Sequence, residues 1–182
     1  MGYGFQTHPD VAAAMLALAD CEPATILEPC SGRGTLVAAA KAAFPRAEIT
    51  SIELDEEYCR EQAAAGLRVV QSDFFGLPTP SRKYDLVVAN PPHSPMAVGY
   101  RMMDRLRDFA DRMIVIMPWL WLINAQSRHN RWRPHVKNAV HLPRSAFPGA
   151  RIQTAIFDID LLNRYGHTRL YGYADSAGGQ RV

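Results

Sequence analysis

The chain has 182 residues, 48% of them hydrophobic, with 20 Lys or Arg against 18 Asp or Glu. That length suits a single domain with a sizeable core. Three widely spaced cysteines, Cys21, Cys30 and Cys59, with no C-x-x-C pair, argue against both a disulfide framework and a zinc site, and Asp111, Arg112, Pro118 and Trp119 break the longest apolar stretch, 110–123, before it reaches a membrane span.

No basic-then-apolar leader opens the sequence, so a cytoplasmic protein is expected. Charge is unevenly placed. Residues 101–151 carry 10 Lys or Arg against 3 Asp or Glu, whereas residues 1–100 carry 7 against 12. Such a skew suits a surface that faces a polyanion, or an ordinary solvated face.

Residues 24–28 form a short apolar run ending in Glu28, then Pro29, a glycine turn (Ser31-Gly32-Arg33-Gly34) and a helix-forming stretch over 35–44. Strand, glycine turn and helix open a doubly wound α/β domain. Strands are predicted over 48–54, 69–72 and 84–89, with helices between the first five strands of the chain, the one between the second and third over 55–65. The continuous run Asp85-Leu86-Val87-Val88-Ala89 suits a parallel strand buried on both faces. A helix over 96–109, a fifth strand over 112–117 and a helix over 119–131 follow. The last strands are placed at 136–142 and 153–162, the latter with the imperfect alternation of a hairpin edge. The expected fold is α/β and Rossmann-like: a seven-stranded, mostly parallel sheet with helices on both faces. One domain over 1–175 and a flexible tail over 176–182 are expected, with no separate target-recognition region.

In such sheets ligands bind beyond the carboxyl ends of the strands. Glu28, Glu53, Asp73 and Asn90 stand at the ends of strands one to four. Gly32 and Gly34 would let backbone approach a ligand closely. A dinucleotide site would want a third glycine where Val37 stands, and Glu28 would repel a diphosphate. A phosphate-free ligand with a positive centre fits better. Glu53 is placed to accept from ribose hydroxyls, Asp73 from an adenine amino group, and Phe74 to offer a face to the ring.

Asn90-Pro91-Pro92-His93 closes the fourth strand. The Asn90 side-chain oxygen and the Pro91 carbonyl make a natural pair of acceptors for the hydrogens of an amino group. Proline fixes φ and restricts the residue before it, which holds that carbonyl rigidly. His93 could stack on a flipped base and, if protonated, make binding pH-dependent. In the basic segment, Arg128, Arg131, Arg133 and Lys137 are candidates for phosphate contacts. Trp132 either stacks a splayed base or tucks into the core; Trp119 and Trp121 read as packing residues.

Glu28-Pro29-Cys30-Ser31-Gly32-Arg33-Gly34 resembles the first motif of class I S-adenosylmethionine-dependent methyltransferases. Leu86-Val87-Val88-Ala89-Asn90-Pro91-Pro92-His93 resembles the Asn-Pro-Pro-aromatic motif of amino-methyltransferases, with His93 where Tyr or Phe is usual. Gly4-Phe5-Gln6-Thr7-His8-Pro9 is similar to the Phe/Tyr-x-Thr-Pro segment of adenine-N6 DNA methyltransferases, with His8 inserted, and Leu142–Phe147 with Thr154–Phe157 is similar to that family's closing strands. The resemblance implies S-adenosylmethionine as cofactor, held by Thr7, Glu28, Pro29, Gly32, Gly34, Glu53, Asp73, Phe74 and Asn90. Thr7 matches the residue that contacts the methionine carboxylate, and Asn90, Pro91, Pro92 and His93 match the catalytic loop. It further implies adenine N6 in DNA as acceptor, ahead of a base in RNA or a protein glutamine amide. Nucleic acid, a specificity subunit or a dimer partner are the implied partners. A non-catalytic nucleic-acid-binding subunit is the alternative of a different class.

Overall fold

Eight strands make one sheet in the order β3-β2-β1-β4-β5-β7-β6-β8. The computed structural model describes residues 6–147 and 152–173; the expected tail, 176–182, and Gly4-Phe5 lie outside the described residues. The strands are β1 (Thr25–Glu28), β2 (Glu48–Glu53), β3 (Val70–Gln71), β4 (Leu86–Ala89), β5 (Arg112–Pro118), β6 (Val136–His141), β7 (Thr154–Asp160) and β8 (Arg169–Gly172). The first five run parallel, β7 is antiparallel to both β5 and β6, and β8 is parallel to β6.

The helices are α1 (Pro9–Leu16), α2 (Thr35–Ala43), α3 (Glu56–Ala64), α4 (Met96–Leu106) and α5 (Gln126–Trp132). They cover both faces of the sheet and bury two separate apolar layers. On one face α1 and α2 pack Met15, Leu36 and Phe44 against Ile26, Val88 and Ile114. On the other, α4 and α5 pack Met103, Leu106 and Trp132 against Val87, Met113 and Phe157. Leu86–Ala89 is buried throughout, as an all-apolar parallel strand between two helical layers must be. No helix among the described residues is long and apolar enough to cross a membrane.

Five features differ from the sequence expectation. α1 was not foreseen; Pro9 opens it, and the His8 side chain accepts from the Asp10 amide at 3.3 Å. An eighth strand, β8, joins the sheet. It is a largely exposed edge strand with little apolar signal of its own. Between β3 and β4 there is no helix, only a 3-10 turn over Phe74–Gly76. The helix expected over 119–131 is split into a 3-10 turn, Trp119–Leu122, and α5. Strand β7 is an interior strand with all seven residues buried, not a hairpin edge. Its two aspartates imitate an exposed face in the sequence, yet both are satisfied inside: Asp158 accepts from Asn138 Nδ2 at 2.6 Å, and Asp160 from Asn163 Nδ2 at 2.7 Å and the Tyr165 hydroxyl at 3.1 Å.

The sheet order reverses between β1 and β4: β2 and β3 extend from β1 in one direction, β5 and the rest from β4 in the other. This switch point is where a doubly wound sheet opens a crevice. Glu28 ends one of the two strands and Asn90 follows the other.

Candidate active site

A cavity of about 630 Å³ lies over these strand tips. Of the residues expected to hold a cofactor or acceptor, Thr7, Glu28, Pro29, Glu53, Asp73, Phe74, Asn90 and Pro92 line it. Gly32, Gly34, Pro91 and His93 do not.

The glycines act one layer back. Gly32 and Gly34 have φ of +53° and +83°, which only glycine adopts readily. A Cβ on Gly34 would lie 2.7 Å from Leu67 Cδ1 and 2.9 Å from Gln62 Cγ, so this glycine lets α3 close over the turn. Gln62, fully buried, clamps the turn by donating to Ser31 Oγ at 2.7 Å and to the Gly32 carbonyl at 2.8 Å. The turn's amides are spent inside the protein. Gly32 N–H donates to Glu53 Oε2 at 2.6 Å, Arg33 N–H to Gln6 Oε1 at 3.1 Å, and Gly34 N–H to the Ser31 carbonyl at 2.8 Å. A phosphate cradle is made of such amides, so this turn is not one. Neither Gln6 nor Gln62 was singled out from the sequence; a lone amide carries no periodic signal.

Four acids, Glu28, Glu53, Asp55 and Asp73, line the cavity. Glu53 is held by three amides, those of Gly32, Leu54 and Asp55. Glu28 is fully buried, and its Oε1 accepts from the Cys30 amide at 3.2 Å. Its Oε2 has no partner among the described residues. Burial pushes the Glu28 carboxyl up to about 8, the Cys30 amide and thiol opposing this and Glu53 adding to it. Cys30 lies between the two strand tips, its thiol 3.7 Å from Glu28 Oε1 and 3.6 Å from the Asn90 carbonyl, and burial pushes its ionisation well above the ordinary range.

Toward the end of β3, Asp73 spends one oxygen on the Phe75 amide at 2.9 Å. Phe74 packs 4.9 Å from Phe109 in the core, so most of its ring is committed there. Phe75 is the half-buried neighbour whose ring lines the cavity, and the Arg101 guanidinium lies 4.6 Å above it. The sequence singled out Phe74 because it follows Asp73 directly; both phenylalanines line the cavity, Phe74 buried and Phe75 half-buried.

At β4, Asn90 Nδ2 donates to Thr7 Oγ1 at 3.1 Å, which orients the amide. The loop beyond is pressed against α4. A Cβ on Gly99 would sit 2.5 Å from the Pro92 carbonyl oxygen and 3.7 Å from Pro91 Cβ. His93 is turned inward with neither ring nitrogen partnered among the described residues, and burial holds it down to about 4. It is neutral near pH 7 and no stacking surface of the cavity, contrary to the sequence expectation.

The basic segment is also largely spoken for. Trp132, 1% exposed, packs 5.3 Å from Trp121 under the Arg107 guanidinium, so no base reaches its face. Arg128 donates to the Trp121 carbonyl and covers the Tyr100 ring; Arg131 pairs with Asp104 at 2.9 Å; Arg133 donates to the Tyr165 and Gly166 carbonyls; Lys137 pairs with Asp20. These side chains tie α5 and β6 to their neighbours.

No family model matches the sequence. The chain is similar to the tRNA (guanine(6)-N2)-methyltransferase of Thermus thermophilus, 35% identical over 94 residues that cover 47% of this chain and 28% of that protein. It is also similar to the modification methylase CviBIII of Paramecium bursaria Chlorella virus NC1A, 31% identical over 86 residues, 45% of this chain and 22% of that one. It thus spans less than a third of either curated relative. Among solved structures, the type I restriction-modification methyltransferase subunit of Streptococcus thermophilus superposes with a TM-score of 0.73 at 15% identity, covering 92% of this chain and 47% of that one. The chain has a Rossmann-like methyltransferase fold. Within that fold the cavity at the β1/β4 switch point is the candidate active site.

Proposed function

We propose that the cavity binds S-adenosylmethionine and that the chain transfers its methyl group to the exocyclic amino nitrogen of a base in nucleic acid, adenine N6 in DNA being the leading acceptor. The observation that carries this reading is the meeting of two features at one switch point: a buried carboxyl, Glu28, with an orphaned oxygen, and an Asn-Pro-Pro loop opening beside it.

The lining fits the cofactor. It offers carboxyl groups suited to an ammonium, to hydroxyls and to an amino group, and its glycine turn has no amides to give a phosphate. Glu28 and Pro29 would hold the amino-acid end, Glu53 the ribose, and Asp73 with Phe75 the adenine. When bound, the sulfonium supplies an electrophilic methyl group.

The chain's own work is alignment and charge placement. The lone pair of an exocyclic amino nitrogen is delocalised into the ring, and acceptors for its two hydrogens draw the nitrogen toward tetrahedral geometry. Asn90, oriented by Thr7, and the Pro91 carbonyl are assigned that task. A preorganised acceptor pair costs no reorganisation at the moment of transfer.

Guanine N2 in RNA is the second reading, favoured by the 35% identity to a tRNA guanine-N2 enzyme. Both acceptors are amino groups on purine rings and ask the same of the loop. Radiolabelled methyl transfer to DNA, RNA and protein pools, followed by nucleoside analysis, separates them. Label in N6-methyladenine supports the first reading and label in N2-methylguanine the second; label confined to protein overturns both.

A further inference from the structure

We propose that Arg101 is the phosphate anchor of the acceptor strand, an inference that rests on the methyl-transfer reading of the cavity. Among the described residues Arg101 is the one cation that lines the cavity; the acidic liners are Glu28, Glu53, Asp55 and Asp73. A polyanionic strand presenting a base to that acidic chamber needs a counter-charge at its rim. Arg101 stands on α4, the helix that follows the Asn90–His93 loop and touches it through Gly99.

The guanidinium is restrained. It lies 4.6 Å above the Phe75 ring, and a guanidinium's fork of N–H donors matches a phosphate. No carboxylate among the described residues pairs with it. Other arginines nearby are engaged: Arg105 with the Phe74 and Leu77 carbonyls, Arg128 with the Trp121 carbonyl, Arg131 with Asp104. The cationic excess of the segment from residue 101 onward is therefore mostly spent on the fold, and Arg101 is the charge held at the mouth of the site.

The ligand chemistry is a phosphodiester, from DNA or from RNA. The test measures binding of matched single-stranded DNA, duplex DNA and RNA oligonucleotides against salt, and S-adenosylmethionine affinity by calorimetry, for wild type, Arg101→Gln and Arg101→Lys. In the preferred nucleic acid, Arg101→Gln should lower the log–log salt slope by about 0.7 for a single strand or about 0.9 for a duplex. Arg101→Lys should keep the slope, and cofactor affinity should not change in either variant. An unchanged slope in Arg101→Gln overturns the proposal. So does a fall in cofactor affinity as large as the fall in oligonucleotide affinity, which would make Arg101 a lid over the cofactor. If the wild type itself neither binds nor methylates any nucleic acid, the reading of the cavity fails before a variant is compared.

Discussion

The Thr7 hydroxyl accepts a hydrogen bond from the Asn90 amide at 3.1 Å, joining the segment ahead of α1 to the tip of β4 across 83 residues of chain. An asparagine amide turns easily about its last torsion, and this bond restrains it. Asn90→Ala should reduce turnover by about a hundredfold or more, the scale of losing one preorganised polar group. Thr7→Val should lower kcat with little change in cofactor affinity, and Thr7→Ser should restore it. Equal loss of cofactor affinity in Thr7→Val would instead assign Thr7 to the cofactor's carboxylate, the role the resemblance implied.

Gly99 seats the acceptor loop. Its Cα faces the Pro92 carbonyl so closely that a methyl group would meet backbone at 2.5 Å. Backbone does not yield as a side-chain end does, so Gly99→Ala must move α4 or the loop. The overpacking should cost about 1–3 kcal/mol of stability, read as a lower denaturant midpoint, together with a fall in kcat at unchanged cofactor affinity. A variant with wild-type kcat would show that the loop tolerates displacement.

The parallel half of the sheet and its strand-tip polar residues were legible in the sequence because they obey two strong local signals: unbroken apolar strands and a glycine turn. Glu28, Glu53 and Asn90 fall where that logic puts them. What escaped lies in long-range pairing. Asp158 and Asp160 look like solvent positions until Asn138, Asn163 and Tyr165 arrive from elsewhere to satisfy them. Gln62 and Gly99 work through shape, which one sequence does not display. Trp132 amid arginines reads equally as a stacking platform or a core residue, and only its packing on Trp121 decides between them.

That packing has a consequence for the basic segment. Trp132→Ala should cost about 3–5 kcal/mol, the range for emptying a large buried aromatic site. Arg131→Glu loses an exposed pair with Asp104 and should cost no more than about 1 kcal/mol. Neither Arg131→Glu nor Lys137→Ala should change the salt slope of nucleic-acid binding, since both cations already face carboxylates of the protein. Titrations in which either variant flattens that slope would return the polyanion surface to α5 and β6.

The buried Glu28 carboxyl makes stability and cofactor binding depend on pH in opposite senses. Its ionisation moves from 4.5 in the open chain to about 8 in the fold, so the folded state holds the extra proton between those values. By linkage its contribution is fully present below about 4.5 and is lost as pH rises through about 8. Asp158, raised to about 6 chiefly by burial, adds the same sign over a lower window. His93, held down to about 4, is neutral above its ordinary value and adds no slope at higher pH. Glu28→Gln should therefore be flatter than wild type in denaturation midpoints between pH 6 and 8, while retaining the Asp158 slope below about pH 6. A cationic ligand favours the ionised carboxylate, so wild-type affinity for S-adenosylmethionine should rise with pH toward 8. In Glu28→Gln it should be weaker and independent of pH. If both proteins show the same pH dependence of stability and of binding, Glu28 neither titrates in this window nor meets the ligand's positive charge.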